Sequence, residues 1–224
     1  MSGSIVARRR VLIGGAAGAL LALAGCAAIH HDLVTRSVRK LMRRSAENAF
    51  ARLLAPNGFW DSSVARLQLP LLLGERGGAW AGLLTSPVFK ERLQRAFNAF
   101  AATAARKAAP LVADAVEKIG IDNAKAILAG GPSAATAYLR AQMGDALVRA
   151  MIPGLTEAIR VSNEPLLREA MAKLAGVDLA ALIRQAAVQI DDAIWRQIAA
   201  EEAAIRADPA ATHDPDLIEL FGRR

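Results

Sequence analysis

Apolar residues recur at helical spacing from about Leu33 to Leu54, and the opposite positions are largely basic. Apolar residues three and four positions apart share one side of an α-helix, so this pattern predicts an amphipathic N-terminal helix packed on a core. The predicted buried positions are Val34, Val38, Leu41, Met42, Ala46, Ala49, Phe50, Leu53 and Leu54.

Proline and glycine predict the boundaries of the next elements. The turn residues Pro56-Asn57-Gly58 should end the first helix, and residues 56–70 should be irregular and extended. Pro87 should begin a long helix, because proline is tolerated in a first turn, and Pro110 should kink or break it. The buried side of this helix is predicted to carry Val88, Phe89, Leu93, Phe97, Phe100 and Ala104.

The second half of the chain is predicted to be helical as well. A short helix should end at Leu128, the next should run from Pro132 to about Arg149, and Pro153-Gly154 should mark a break. The last long helix is predicted over 178–207, and a short terminal helix should end at Phe221. Hydrophobic residues make up 54% of the chain but aromatic residues only 4%, a composition that favours helices over sheets. The sequence therefore predicts an all-α fold, a single irregular multi-helix bundle.

The N-terminus has the layout of a lipoprotein signal peptide. Arginines at positions 8–10 precede a short apolar stretch rich in Gly and Ala, and the lipobox Leu23-Ala24-Gly25-Cys26 follows. Cys26 is the sole cysteine of the chain. The apolar run is shorter than the roughly 20 residues that a transmembrane helix needs. We therefore expect cleavage after Gly25 and lipidation of Cys26, including palmitate.

This signal predicts both the domain organisation and the location of the protein. Residues 1–25 would be the removed signal peptide, residues 26–31 a lipidated tether, and residues 32–224 a single helical domain. Because Ala27 and not aspartate follows the cysteine, the expected location is the outer membrane of the cell envelope, facing the periplasm. The arginines also resemble a twin-arginine export signal, and the choice between that route and the general secretory route stays open.

The basic face of the first helix is the best candidate for a functional surface. It consists of Arg36, Arg39, Lys40, Arg43 and Arg44. The tether would hold this face near a membrane, where each Lys or Arg can contribute about 1 kcal/mol against anionic lipid. The alternative is a solvated outer face of a packed helix. The formal net charge of +7 includes the signal arginines, and no nucleic-acid-binding motif is present, so no nucleic-acid partner is expected.

The sequence predicts no catalytic residues, no metal ligands and no cofactor. It lacks a Gly-x-Ser-x-Gly elbow, and His213 lies in a turn beside acidic residues without ligand spacing. The last long helix carries Asp191, Asp192, Glu201 and Glu202, which could serve acid–base chemistry. The simpler interpretation is pairing at i,i+4, Asp192 with Arg196 and Glu202 with Arg206. Backbone amides after Gly130-Gly131-Pro132-Ser133 could hold an anion, although helix–helix turn chemistry also explains that run.

Several motifs together resemble one bacterial family. They are Gly58-Phe59, Leu67–Pro70, Ile121–Gly130, Ala134–Leu139, Ala200–Glu202, Ile205-Arg206 and Asp208–Ala211. This set is similar to the domain-of-unknown-function family 4197, whose members are commonly exported or lipid-anchored. The chain departs from the family pattern at Ala102, Met143 and Thr212-His213-Asp214, and residues 161–177 lack the usual tyrosines. The resemblance implies a helical envelope domain and no particular activity.

Three functional hypotheses follow from the sequence. The first is a lipid-anchored, non-enzymatic interaction or structural module of the envelope, with an unidentified protein partner. The second is a carrier that holds an apolar ligand or lipid between helices, with the segment Gly74–Gly78 permitting an opening. The third is a hydrolase-type enzyme that uses the carboxylates of the last long helix, with His213.

Overall fold

The computed structural model describes residues 17–68, 86–118, 124–162, 165 and 178–222, with side chains from Leu33 onward. Within these ranges it contains eight α-helices, one short 3₁₀-helix and no strand. The helices are α1 (Ala17–Leu54), α2 (Gly58–Asp61), α3 (Pro87–Lys118), α4 (Ala124–Ala129), α5 (Ala134–Met143), α6 (Ala146–Arg160), α7 (Leu179–Ala207), the 3₁₀-helix (Pro209–Thr212) and α8 (Pro215–Phe221). The predicted all-α bundle is confirmed. The segment Gly74–Gly78 lies outside the described residues.

Four long helices enclose the core. Helix α1 packs against α3 and α7, and α6 packs against the same two helices from the other side. Alanines fill much of these contacts, among them Ala101, Ala104, Ala105, Ala108, Ala187 and Ala193, all fully buried. Because alanine adds little beyond the backbone, it allows close helix approach and favours the helical state at each position.

The predicted face of α1 is confirmed. From Val34 to Leu53 its predicted apolar positions are all buried, and Leu54 at the end is partly buried. The helix begins at Ala17 and not near Leu33, so the backbone of the predicted tether is helical. Alanine and leucine favour helix strongly, and no proline interrupts this stretch. Cleavage after Gly25 stays a prediction.

Pro110 was predicted to kink or break its helix, and the break is wrong, because α3 continues through Pro110 to Lys118. The kink stays a prediction. Buried residues on both sides of the proline, such as Ala108 and Val112, keep one face of α3 on the core. Packing of that face offsets the missing backbone hydrogen bond. Val88, predicted to be buried, is 66% exposed because it precedes the part of α3 that packs.

The predicted helix from Pro132 to Arg149 is interrupted. Helix α5 ends at Met143, and Gly144 has φ +53°, a backbone conformation that residues other than glycine rarely adopt. The predicted break at Pro153-Gly154 is absent, because α6 runs through it to Arg160 with Leu147, Met151 and Leu155 buried. Glycine conformation therefore ends a helix here, whereas a proline on a packed helix does not.

The segment predicted to be extended contains one helical turn. Helix α2 follows Asn57, which has φ 59°, and it buries Phe59 in the core. A second turn at residues 63–65 leads to Leu67, which is also buried. Residues 66–68 have no regular secondary structure, and Ser62 has extended backbone angles. The extended description therefore does not hold for the described part as a whole, because anchoring Phe59 and Leu67 requires a compact path.

The C-terminal boundaries agree with the prediction. Asp178 caps α7 by accepting a hydrogen bond from the Ala181 amide at 3.0 Å, and α8 ends at Phe221. Asp214 caps α8 in the same way through the Asp216 amide. In the described part of the chain, no helix is both long enough and apolar enough to cross a bilayer.

Candidate functional site

Glu202 of α7 is the centre of a buried polar network. Its carboxylate accepts hydrogen bonds from the Ala135 amide at 3.0 Å, and from the amide and hydroxyl of Thr136, both at 2.7 Å. Arg206 donates its Nε to the same carboxylate at 2.8 Å. The Glu202 side chain is 0% exposed and that of Arg206 is 3% exposed. This carboxylate is fully occupied by donors from two helices.

Arg206 extends this network to the end of α4. Its terminal nitrogens donate to the carbonyls of Ile127 at 3.0 Å and Leu128 at 3.3 Å, and its guanidinium lies 4.9 Å from the centre of the Phe221 ring. These carbonyls are at the C-terminus of α4, which favours a cation, and Glu202 lies at the N-terminus of α5, which favours an anion. Arg206 therefore holds the end of α4, Glu202 holds the start of α5, and Arg206 also contacts Phe221 of α8.

This geometry decides two sequence-based expectations. The predicted pair Glu202–Arg206 is confirmed, although it is buried and not on an exposed face. The amides that follow Gly130-Gly131-Pro132-Ser133 do hold an anion, and that anion is the protein's own Glu202. These two amides are therefore already engaged by the fold.

Asp191 and Asp192 meet an arginine from another helix. A terminal nitrogen of Arg140 on α5 donates to both carboxylates, and the Trp195 Nε1 donates to Asp191 at 2.9 Å. Burial raises the pKa of Asp191, while Arg140 and Trp195 act in the opposite direction. The predicted pairing of Asp192 with Arg196 is wrong, because Arg140 reaches Asp192 and Arg196 donates to the Val64 carbonyl at 3.0 Å.

Glu201 closes a chain of side chains that begins at a serine. The Ser62 hydroxyl donates to Gln197 Oε1 at 2.9 Å, Gln197 Nε2 donates to Glu201 at 2.9 Å, and Arg52 lies 2.7 Å from the same carboxylate oxygen. Ser62, Gln197 and Arg52 border a surface cleft of about 490 Å³. The order hydroxyl, acceptor, carboxylate resembles a catalytic triad, but a glutamine amide does not titrate and cannot take the hydroxyl proton.

The basic face of α1 is partly neutralised within the fold. Lys40 Nζ lies 2.9 Å from Asp214 and 2.7 Å from Asp216 at the start of α8. Hydrogen bonds to Asp216 and Asp214 raise the pKa of Lys40. Burial alone would raise the pKa of Asp214, but the hydrogen bonds from Lys40 and from two backbone amides outweigh burial and lower it. Arg43 pairs with Glu117 of α3 through its Nε at 2.8 Å.

The other three predicted residues of this face also interact with groups of the protein. Arg44 lies 4.0 Å from Glu47, and Arg36 and Arg39 each have a polar or electrostatic interaction within the protein. Membrane contact by these side chains stays a prediction. The side chain of Cys26 lies outside the described side chains, and its lipidation stays a prediction as well.

His213 occupies the turn that the sequence predicted. It is exposed, its φ is 54°, and its amide donates to the Ala210 carbonyl at 3.1 Å. Across the described residues, no group of three or more histidine, cysteine or acidic side chains is arranged to hold a metal ion. The turn serves instead to place Asp214 against Lys40.

An apolar groove of about 480 Å³ lies between α1 and α3. Its floor includes Ala46, Phe50, Ala109, Pro110, Ala113 and Val116, and the Arg43–Glu117 pair borders it. Phe50 and Val116 belong to the core, so the groove is a shallow extension of the interior toward the surface. Its size lies within the roughly 300–1,000 Å³ typical of small-molecule sites.

Two residues of these networks carry no signal in the sequence. Ser62 and Arg140 reach α7 from distant positions in the chain, and spacing along one helix cannot reveal them. Trp195 and Gln197 lie on α7 at i,i+4 from Asp191 and Glu201, so the rule that found Glu202–Arg206 could have found these contacts as well. A further clue was that Glu201 and Glu202 interrupt the apolar side of α7, since buried carboxylates require donors.

Comparison with known proteins gives one match. The model of a family described as "protein of unknown function (DUF4197)" matches residues 28–222. No curated protein and no solved structure matches the chain significantly.

Proposed function

This chain belongs to the family DUF4197, whose description assigns no activity, and we propose that it is a lipid-anchored, non-enzymatic module of the bacterial cell envelope. In this proposal, acylated Cys26 holds it in the outer membrane on the periplasmic side. The helical domain then supports envelope structure or binds an envelope protein.

The state of the α7 carboxylates supports a non-enzymatic role most directly. Each of the four predicted acidic residues is engaged by at least one donor: Asp191 and Asp192 by Arg140, Glu201 by Gln197, and Glu202 by Arg206. A general acid or base must reach substrate, and Glu202 has no exposed surface. The hydrolase hypothesis therefore ranks last, since hydrogen bonds and ion pairs within the fold already engage its proposed catalytic groups.

The N-terminal sequence supports lipid anchoring. The lipobox and the signal layout carry this part of the proposal, and α1 continues without interruption from Cys26 into the core. A single acyl signal gives weak membrane binding on its own, and basic residues strengthen it. Because Lys40 and Arg43 are paired within the fold, the basic face offers less uncompensated charge than its five cations suggest.

Metabolic labelling with a palmitate analogue tests the anchor. The wild-type protein should take up label and float with membranes, whereas Cys26→Ser should take up no label and keep the mass of the unprocessed chain. Ala28→Ser is the matched control, because it makes an equally small change two positions away and should behave as wild type. An unlabelled wild-type protein would overturn the proposal.

The groove between α1 and α3 supports the carrier hypothesis as a second candidate. An apolar ligand there would contact Phe50, Val116 and the alanines of both helices. Native mass spectrometry of detergent-free protein should then show an extra mass that is lost on denaturation. Ala113→Phe should remove that mass by filling the groove, and Ala137→Phe on the exposed side of α5 should not. A clean apo mass in the wild type would count against a carrier.

A further inference from the structure

Two arginines border a small cleft beside α7, next to the Arg140–Asp192 contact. Arg66 comes from the segment after α2 and Arg196 from α7, and both are exposed. The cleft measures about 150 Å³ and is lined by Arg66, Leu67, Gln68, Gln189, Asp192 and Arg196. This volume is too small for a drug-sized molecule and suits one compact polar group.

Both arginines donate a hydrogen bond within the protein through Nε. Arg66 donates Nε to the Trp60 carbonyl, and its guanidinium stacks 4.8 Å from the centre of the Trp60 ring. Arg196 donates Nε to the Val64 carbonyl at 3.0 Å. Among the described residues, the terminal amino groups of these two guanidinium groups have no hydrogen-bond acceptor. The fold therefore orients two cations and leaves their forked donors available.

Neither arginine has a carboxylate partner among the described residues. Some exposed arginines elsewhere do have one, as Arg95 has in Glu91. Arg196 would be expected to pair with Asp192 at i,i+4, but Arg140 donates to that carboxylate and also to Asp191. Asp192 still lines the cleft, so two arginines stand against one carboxylate and the formal charge of the lining is positive.

A glutamine adds a further donor to the lining. Gln68 Oε1 accepts a hydrogen bond from Gln94 Nε2 at 3.1 Å, and the Gln94 amide is itself held by the Leu67 carbonyl at 2.9 Å. Because the oxygen of Gln68 is engaged, its amide nitrogen is the group left to donate. Two guanidinium forks and an amide match the oxygens of a tetrahedral anion, which arginine binds through paired hydrogen bonds.

We propose that Arg66 and Arg196 form a binding site for a phosphate group. The group could be inorganic phosphate or the phosphodiester of an anionic lipid, because the recognised oxygens are the same. The site does not depend on the lipid anchor or on the groove between α1 and α3.

Titration of the full chain in uncharged detergent tests this proposal. Inorganic phosphate is added in one arm and followed by calorimetry, and in the other arm the micelles are doped with phosphatidylglycerol. The Arg66→Gln/Arg196→Gln double variant should weaken binding at least tenfold. Arg160→Gln is the matched control, because it removes an exposed arginine charge on α6, and it should bind as wild type.

The two arms identify the source of the phosphate group. Saturable binding of inorganic phosphate that the double variant loses supports a soluble ligand. Binding that occurs only in doped micelles, and that the double variant loses, supports a lipid headgroup. Binding absent from both arms, or equal in wild type and a double variant with unchanged circular dichroism, overturns the proposal.

Discussion

Removal of the Glu202 charge should destabilise the fold more than any change on the surface. Glu202→Gln keeps the side-chain volume and one acceptor oxygen but removes the negative charge. Arg206 is then a buried cation without a counter-ion, and the donors from Ala135 and Thr136 compete for fewer acceptor positions. The substitution therefore breaks an ion pair and a helix cap together.

The expected magnitude follows from burial. Loss of one partner from a buried ion pair costs about 3–5 kcal/mol, because the remaining charge keeps its desolvation penalty. The retained amide oxygen offsets part of the capping loss, so we expect the free energy of unfolding to fall by about 3–5 kcal/mol. That is a large share of the roughly 5–15 kcal/mol that stabilises a typical domain. Urea unfolding followed by circular dichroism measures it.

An exposed pair supplies the control for this experiment. Glu157→Gln removes the same charge beside Arg160 on the surface of α6, where solvent screens the pair, and its unfolding midpoint should match wild type. In the Glu202→Gln/Arg206→Met double variant, the total loss should be smaller than the sum of the two single losses by about 0.5–3 kcal/mol. Equal midpoints for Glu202→Gln and Glu157→Gln, or strict additivity, would refute the argument.

Three further predictions concern the α1–α8 contact, the glycines and the proline in α3. Lys40→Met should lower the melting temperature between about pH 5 and 10. This difference should shrink as the pH falls through the lowered pKa of Asp214, and as it rises through the raised pKa of Lys40. Gly144→Ala should destabilise by about 1 kcal/mol or more because of its φ of +53°, whereas Gly154→Ala, inside α6 with only ordinary contacts, should stabilise by about 0.5–1 kcal/mol. Pro110→Ala restores a helix donor and should raise the free energy of unfolding by about 1–3 kcal/mol; a lower value in urea titration would contradict this account.

Helical periodicity predicted the elements that carry a continuous apolar face. The buried side of α1 and the bounds of α7 agree with the structure because both helices present one face to the core over many turns. Proline and glycine were less reliable as predictors of helix ends. Pro110 and Pro153 lie inside helices whose faces stay packed. Gly144 ends a helix through a positive φ, which the sequence alone does not predict.

The polar networks were predictable only where both partners share a helix. Glu202–Arg206 satisfies the i,i+4 rule and was found. Asp192 satisfies the same rule with Arg196, but tertiary packing brings Arg140 closer. The phosphate site that we propose arises from that substitution of partners, because it leaves Arg196 without a carboxylate.

The sequence by itself determined the helical class, the apolar faces and the signal-like N-terminus, because these depend on residue type and on spacing along one chain. Only the tertiary structure decided which charges are compensated. Whether a carboxylate is engaged in the fold or available to a substrate depends on hydrogen-bond donors from other helices, such as the Ala135 and Thr136 amides that bind Glu202. Periodicity carries no information on those distances, since they are set by how the helices pack.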